Sequence, residues 1–168
     1  NSAVAVGEVG EICARGPCVM LEYNDKPKAT SETIDAMGWL HTGDLGRMDA
    51  RGYVTVTGRV KEMIIRGGEN HFPAEIENCL LEYPDVAEVA VVGLPDPKWG
   101  EIIAAFIKFR GKPILAQDLK LFCRQEMSPQ KTPSIWVAVE HFPLTGSGKI
   151  QKFKLIEKFQ FGQFQEMK

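Results

Sequence analysis

The chain has 168 residues, of which 44% are hydrophobic and 25% charged, enough apolar mass for one compact core or two small ones. Its formal net charge of -2 argues against the strongly basic face of a typical nucleic-acid-binding protein. No apolar run is long enough to span a bilayer and the start has no signal-peptide pattern, so we expect a cytoplasmic protein without a membrane span.

The first third of the chain is rich in glycine and in short β-prone runs. Turn signals separate Val9–Ala14, Leu45–Met48 and Tyr53–Thr57, which predicts a small antiparallel sheet. The mixed-polarity segment 25–34 predicts a short helix between strands. Because the chain starts with Asn and reaches a strand at once, we expect it to continue from an earlier part of a longer protein.

The pattern changes near residue 60, where we place a domain boundary. Met63–Ile65 predicts a strand and GGEN, Gly67–Asn70, a turn. Pro73 suits the first position of a helix, where no amide donor is needed. The buried face of this helix is expected to carry Ile76, Leu80 and Tyr83.

The remaining elements alternate between β-branched apolar runs and amphipathic segments. Buried strands are predicted at Val89–Val92, Ile102–Phe109 and Ile135–Val139; one helix is marked by Leu115, Leu119 and Phe122, and a last helix covers Phe153–Phe159. The order predicts an α+β fold. A small antiparallel β unit is followed by a compact domain with a β-hairpin and a three-stranded sheet flanked by helices.

The cysteines and histidines give little sign of a metal centre. The four cysteines form no CxxC pair, so we expect reduced, buried thiols rather than a zinc site or a disulfide framework: Cys13, Cys18, Cys79 and Cys123. The three histidines lie far apart along the chain: His41, His71 and His141. We therefore predict no metal site unless the fold gathers these side chains.

Asp44 is the centre of the segment HTGDLGRMDARGYVTVTGR, which begins at His41. A carboxylate on a tight Gly-Asp turn can accept hydrogen bonds from the vicinal hydroxyls of a ribose, and the small Gly43 lets a ligand approach the backbone. Taken alone, the segment favours the simpler interpretation that Asp44 caps a turn.

A glycine pair, Gly67 and Gly68, lies in the second segment, GRVKEMIIRGGENHFPAEIE. The pair either supplies positive φ angles for a hairpin or leaves a channel for a slender ligand. The residues alone do not decide between a turn and a channel.

Lys149 follows a glycine-rich loop in the third segment, PLTGSGKIQKFKL. The nucleotide-triphosphatase loop needs a glycine where this chain has Pro143 and a serine or threonine where it has Ile150, so that interpretation is excluded. A lysine on a flexible Gly-Ser-Gly arm can reach another domain and meet negative charge on a phosphate. An isolated lysine of this kind is more often a solvated surface residue.

Together, the three segments closely resemble the adenylate-forming, or AMP-binding, superfamily of acyl-CoA synthetases, luciferases and peptide-synthetase adenylation domains. The resemblance runs from GEICARGP near the start to GKIQKFKL near the end. GGEN followed by PAEIE is similar to the acyl-CoA synthetase and fatty-acid-CoA ligase version. The resemblance implies that residues 1–59 end a large N-terminal AMP-binding domain, and that residues 60–168 form a mobile lid with its hinge near Lys61.

Such enzymes join a carboxylic acid, here expected to be a fatty acid, to ATP and then pass the acyl group from the adenylate to CoA. By resemblance, Asp44 would bind the ribose hydroxyls of ATP or AMP, assisted by Arg59. Lys149 would stabilise the charge that develops during adenylation. After the lid rotates about Lys61, this lysine would lie in solvent.

In the second conformation, the resemblance implies that Gly67, Gly68 and Glu69 line the tunnel for the pantetheine of CoA. Trp99 would contact CoA, although packing at a strand edge is an equally good interpretation. His71 departs from the family pattern, in which an aliphatic residue normally follows GGEN, so the local packing there is expected to differ.

The implied partners are a small carboxylic acid, ATP, CoA and the N-terminal domain, which would also hold most of the Mg²⁺ ligands. A lysine acetyltransferase acting on Lys149 is a further expectation. We expect the chain alone to be inactive. Two alternatives stay open: a non-catalytic module that binds CoA or a carrier protein, and a ligase that transfers the acyl group to a carrier protein.

Overall fold

The computed structural model describes residues 2–112 and 114–168. The chain divides into two compact units, Asn1–Lys61 and Glu62–Lys168. The assignment of residues 1–59 to the end of an N-terminal domain and of residues 60–168 to a mobile lid stays a prediction. Among the described residues, no helix combines the length and the apolar character that a membrane span requires.

The first unit is a three-stranded antiparallel sheet in the order β1-β2-β3, as predicted. Its elements are β1 (Val9–Ala14), α1 (Pro27–Thr33), β2 (Leu40–Met48) and β3 (Val54–Arg59). β2 is longer than the predicted run because the HTGD segment belongs to the strand. The short predicted helix is present, with Pro27 in its first turn, where the missing amide costs nothing.

The second unit combines one mixed sheet with three helices. Its elements are β4 (Ile64–Arg66), β5 (Glu69–His71), α2 (Pro73–Leu81), β6 (Val86–Asp96), β7 (Gly100–Phe109), α3 (Ala116–Glu126), β8 (Ile135–Ala138) and α4 (Lys152–Gln160). β4 and β5 form the predicted hairpin, and β6, β7 and β8 form the predicted three strands. The pair Arg66 and Gly100 joins them into one five-stranded sheet. β8 runs parallel to β7, and α3 provides the crossover that such a pair requires.

Both faces of the strand pair β6 and β7 are buried, which is why these strands read as continuous apolar runs rather than as alternating ones. One face packs against α2 and α3 and includes Val91, Ile103 and Ile107. The other face includes Val92 and Phe106 and packs against Leu155 of α4. The sheet is therefore the centre of the unit, and the helices flank it on both sides.

In α2 and α3 the helix boundaries change the place of a predicted core residue. α2 begins at Pro73 as predicted and buries Ile76 and Leu80, but it ends at Leu81, so Tyr83 packs against the core from the following turn. α3 buries Leu119 and Cys123, while Leu115 precedes the helix and is exposed. The predicted GGEN turn is also shorter, because Glu69 and Asn70 already belong to β5.

The cysteines are all free thiols, as predicted, but they are not all buried. Cys123 is buried, and this burial raises its pKa to about 12. Cys18 is exposed, so the prediction was wrong for this residue, which lies in the turn after β1 rather than facing a core.

Candidate functional site

Asp44 lies on a bulge of β2. Glu11 of β1 pairs with Leu45 of β2, and Cys13 pairs with His41. Between these two pairs β1 has one residue, Ile12, whereas β2 has three, residues 42–44. Bulges of this kind re-aim a side chain and are frequent beside active sites. Gly43 has φ +73°, a left-handed conformation that favours glycine, and no described atom lies within 4 Å of the place where a Cβ would be.

The Asp44 carboxylate is held by the next strand. Its Oδ1 accepts a hydrogen bond of 2.8 Å from Nε of Arg59, its partner residue on β3. The Asp44 side chain is 34% exposed and that of Arg59 60% exposed. The structure therefore brings these two predicted site residues together at a partly exposed position of the first unit.

The predicted nucleotide turn has further supports that the sequence analysis missed. The Thr42 hydroxyl donates to the Ile12 carbonyl oxygen at 2.7 Å and accepts from the Asp44 amide at 3.1 Å. Glu11 accepts a bond of 3.0 Å from the Gly43 amide and one of 2.7 Å from Nδ1 of His41. In the sequence, Glu11 is distinguished only by its place in the GEI stretch of β1. A glutamate on a strand gives no indication of which residues it will contact.

The fold does gather one histidine with other possible metal ligands. The donor atoms of Glu11, Cys13 and His41 all lie within 4.8 Å of one another. Because both Glu11 oxygens already accept hydrogen bonds, the cluster is bonded internally and we assign no metal to it. A thiol and an imidazole are also poor ligands for Mg²⁺, which prefers oxygen, so this cluster does not fit that ion.

The turn between β4 and β5 needs both of its glycines. Gly67 and Gly68 have φ +60° and +86°. A Cβ on Gly67 would lie 3.0 Å from Cε3 of Trp99, and the Gly67 amide donates to the Trp99 carbonyl oxygen at 2.8 Å. A Cβ on Gly68 would meet no described atom within 4 Å. The turn is thus packed on the indole on one side and open on the other.

A cavity of about 400 Å³ lies beside this turn. It is lined by Arg66, Gly67, Glu69, His71, Trp99, Pro129 and Gln130. The indole of Trp99, a residue that is 44% exposed, has the Arg66 guanidinium carbon at 5.7 Å and Lys98 Nζ at 4.9 Å from its ring centroid. The wall therefore offers an aromatic ring beside the Arg66 guanidinium, which suits a ligand with a flat ring or a negative charge, and it also carries the carboxylate of Glu69.

His71 explains how the chain accommodates its departure from the family pattern. The residue is 3% exposed on β5 opposite Ile64, and its ring nitrogens have no hydrogen-bond partner among the described residues. Burial, opposed by the charge of Glu69, lowers the pKa of His71, and the charges of Arg66 and Lys131 lower it further. Burial thus favours the neutral imidazole, which packs where the family pattern has an aliphatic side chain.

Lys149 is exposed on a small hairpin of the second unit. Leu144 pairs with Ile150 across it, and the Thr145 amide donates to the Lys149 carbonyl oxygen at 2.8 Å. The Lys149 amide in turn donates to the Thr145 hydroxyl at 3.1 Å. These bonds shape the loop through its backbone, and the ammonium group stays at the surface.

Lys61, the predicted hinge residue, is exposed in the 3-10 turn Val60–Glu62. Glu62, which ends this turn, bonds Lys152 Nζ at 2.8 Å, and Glu77 of α2 lies 2.9 Å from the same nitrogen. Lys152 is only three residues beyond Lys149 along the chain. Sequence reasoning missed this cluster because its members lie far apart in the sequence.

Comparison with known proteins bears on both units. Residues 75–149 match the family described as "AMP-binding enzyme C-terminal domain". The chain is 47% identical over 152 residues to the mitochondrial medium-chain acyl-CoA ligase ACSF2 of Macaca fascicularis, covering 90% of this chain and 25% of the relative. It is 46% identical over 156 residues to 3-[(3aS,4S,7aS)-7a-methyl-1,5-dioxo-octahydro-1H-inden-4-yl]propanoyl:CoA ligase of Rhodococcus jostii, covering 92% and 30%.

A solved structure shows the same fold. The o-succinylbenzoate CoA synthetase MenE of Bacillus subtilis, in complex with the acyl-adenylate intermediate OSB-AMP, matches with a TM-score of 0.85 and 37% identity. The match covers 90% of this chain and 31% of MenE. The chain therefore spans between a quarter and a third of the length of these relatives.

Proposed function

Because this chain carries the C-terminal domain of the adenylate-forming, or AMP-binding, enzymes, we propose that it is the C-terminal part of an acyl-CoA synthetase. The enzyme activates a carboxylic acid with ATP and transfers the acyl group to CoA. The observation that carries this proposal is Lys149, exposed on a hairpin in the same chain as the Asp44 bulge and the Gly67 turn. The chain works with a larger N-terminal domain and is inactive alone.

In the first half-reaction, a carboxylate oxygen attacks the α-phosphorus of ATP and pyrophosphate leaves. Asp44 accepts hydrogen bonds from the ribose hydroxyls, and Arg59 fixes its carboxylate at 2.8 Å. Lys149 brings its ammonium group to the oxygens on which negative charge increases. Its contribution is positioning and electrostatic stabilisation, because a lysine ammonium offers charge without any need for proton transfer.

In the second half-reaction, the CoA sulfur attacks the carbonyl carbon of the adenylate, AMP leaves and the thiol proton passes to solvent. The open side of Gly68 leaves room for the narrow pantetheine chain. The cavity beside Trp99 and Arg66 offers an aromatic and cationic surface to the nucleotide end of CoA. Rotation near Lys61 moves Lys149 out of the active site. The face that carries Gly67, Gly68 and Glu69 then takes its place there.

For the substrate, we propose a medium-chain fatty acid, supported by 47% identity to a relative named for such substrates. The Rhodococcus relative is named for a bicyclic propanoyl group, so the acid class must be tested. We expect Mg²⁺ to be held by the N-terminal domain. A cytoplasmic location and acetylation of Lys149 stay predictions from the sequence and from the resemblance.

The proposal is tested with the full-length enzyme that carries this chain. Exchange of labelled pyrophosphate into ATP is measured with octanoate, with benzoate and with no acid, and acyl-CoA formation is then followed after CoA is added. We expect exchange with octanoate and an octanoyl-CoA product. Exchange without transfer to free CoA would favour the carrier-protein ligase, and the absence of exchange with every acid would favour a non-catalytic module.

A further inference from the structure

The bulge of β2 removes backbone groups from the sheet ladder beside Asp44. Thr42, Gly43 and Asp44 are opposite the single residue Ile12 of β1, so their amides cannot all find partners on that strand. Side-chain acceptors take two of these amides instead. The Asp44 amide uses the Thr42 hydroxyl at 3.1 Å, and the Gly43 amide uses the carboxylate of Glu11 at 3.0 Å.

The Glu11 carboxylate is itself fixed in place. Its Oε1 accepts from Gly43 and its Oε2 accepts from Nδ1 of His41 at 2.7 Å, so both oxygens are used. His41 lies on β2 just before the bulge, and its Nε2 is 3.8 Å from a carboxylate oxygen of Asp35. Glu11 therefore spans the bulge, with one oxygen on the turn and the other on the residue that precedes it.

We propose that Glu11 is a positioning residue that holds Gly43 in its left-handed conformation and so aims Asp44 at a nucleotide ribose. This inference rests on the proposed role of Asp44 and extends it to a residue that contacts no substrate. We call the two hydrogen bonds of Glu11, to Gly43 and to His41, the Glu11 clamp. Without this clamp, the bulge can relax towards regular strand pairing. Because successive side chains of a strand point to opposite faces, this change would turn the Asp44 side chain away from the ribose. Arg59 does not replace the clamp, because its side chain bonds the Asp44 carboxylate and its backbone pairs with Asp44, and neither contact involves the Gly43 amide.

The test compares three substitutions of Glu11 that differ in whether a side-chain oxygen can still reach the Gly43 amide. Glu11→Ala removes both acceptor oxygens. Glu11→Asp keeps the charge on a side chain that is one methylene shorter. Glu11→Gln keeps the length, and its amide oxygen can still accept a hydrogen bond from the Gly43 amide. Glu22→Ala, at an exposed glutamate of the same unit, is the matched control.

Two measurements are made on the full-length enzyme: KM and kcat for ATP in pyrophosphate exchange, and the hydrogen-exchange rate of the Gly43 amide. We expect Glu11→Ala to raise KM for ATP about 10-fold with kcat changed by less than about 2-fold, as for a lost hydrogen bond to a charged group. Glu11→Asp should resemble Glu11→Ala, Glu11→Gln should remain close to the wild type, and the Gly43 amide should exchange faster in the first two variants. Should Glu11→Ala fail to fold, Glu11→Asp carries the same expectation.

Two outcomes separate this inference from the proposed function. If Asp44→Ala leaves KM for ATP unchanged, the ribose role and the proposed function fail together. If Asp44→Ala raises KM but Glu11→Asp alters neither KM nor the Gly43 exchange rate, the clamp alone is wrong. A loss of kcat that is equal in Glu11→Ala and Glu11→Gln would also overturn it, since that result indicates damage to the fold.

Discussion

At the scale of single residues, the candidate site depends on a few short contacts made by side chains of ordinary type. Arg59 fixes the carboxylate of Asp44, Glu11 fixes the turn beneath it, and Trp99 packs against Gly67. Each contact joins residues that are distant in sequence and that neighbouring strands or turns bring together. The chemistry proposed for Asp44 therefore depends on residues that do not touch the nucleotide.

The ion pair of His41 predicts how stability depends on pH. The hydrogen bond that His41 donates to the Glu11 carboxylate raises the pKa of His41 above its ordinary value of 6.5; desolvation opposes this shift, and the charges of Glu11 and Asp35 reinforce it. A histidine with a raised folded-state pKa contributes stability that is fully present below the unfolded pKa and is lost as pH rises through the folded pKa. We therefore expect the free energy of unfolding to fall as pH rises through the interval just above 6.5.

This expectation is checked by urea unfolding at several pH values, together with an NMR titration of the His41 ring protons. His41→Gln should remove the pH-dependent step, while His141→Gln, at an exposed histidine, should keep it. A His41 pKa below 6.5, or a step that survives in His41→Gln, would contradict the role given to the pair.

At the scale of helices and strands, the second unit is organised by the two buried faces of β6 and β7. Hydrophobic side chains on both faces make the sheet a rigid base, and α2, α3 and α4 pack on it. The Lys149 hairpin leads directly into α4, and the Gly67 turn joins two strands of the same sheet. Both candidate loops therefore start from elements that pack in the core, as binding loops commonly do.

Lys152 connects three of these elements, which predicts a cost for its removal. Its side chain is 21% exposed and lies within 2.9 Å of carboxylate oxygens of Glu62 and Glu77. Lys152→Met would leave two acidic groups without their shared cation, and we expect the free energy of unfolding to fall by about 1–3 kcal/mol. Thermal or urea unfolding measures this loss, with Lys158→Met on the exposed side of α4 as the control. Equal stability of the two variants would show that the cluster does not hold these elements together.

The elements themselves were largely predictable, whereas the contacts between them were not. Pro73 and the apolar run Ile102–Phe109 have local causes, a fixed φ and burial on two faces, so the sequence marks them directly. The bulge at Gly43 and the place of Gln130 in the cavity wall depend on register and on packing across the fold. No local pattern encodes such relations, which is why Asp44 was predicted and Glu11 was not.

At the scale of the whole molecule, the chain consists of two units, each with its own part of the proposed reaction. The first carries the Asp44 bulge, and the second carries the Lys149 hairpin and the Gly67 turn. The relatives are about three to four times longer, since the chain spans 25% to 31% of their length. Under the proposed function, we expect the acyl pocket and the remaining nucleotide contacts in the larger N-terminal domain.

The central claim is that Lys149 serves adenylation and not thioester formation. The direct measurement compares both half-reactions in the full-length enzyme: adenylate formed from acid and ATP in a single turnover, and acyl-CoA formed from supplied acyl-adenylate and CoA. We predict that Lys149→Ala slows the first by about 100-fold or more, as for loss of a preorganised charge-stabilising group, and leaves the second within a few-fold of the wild type. Lys158→Ala should change neither rate, and an equal loss of both half-reactions in Lys149→Ala would contradict the claim.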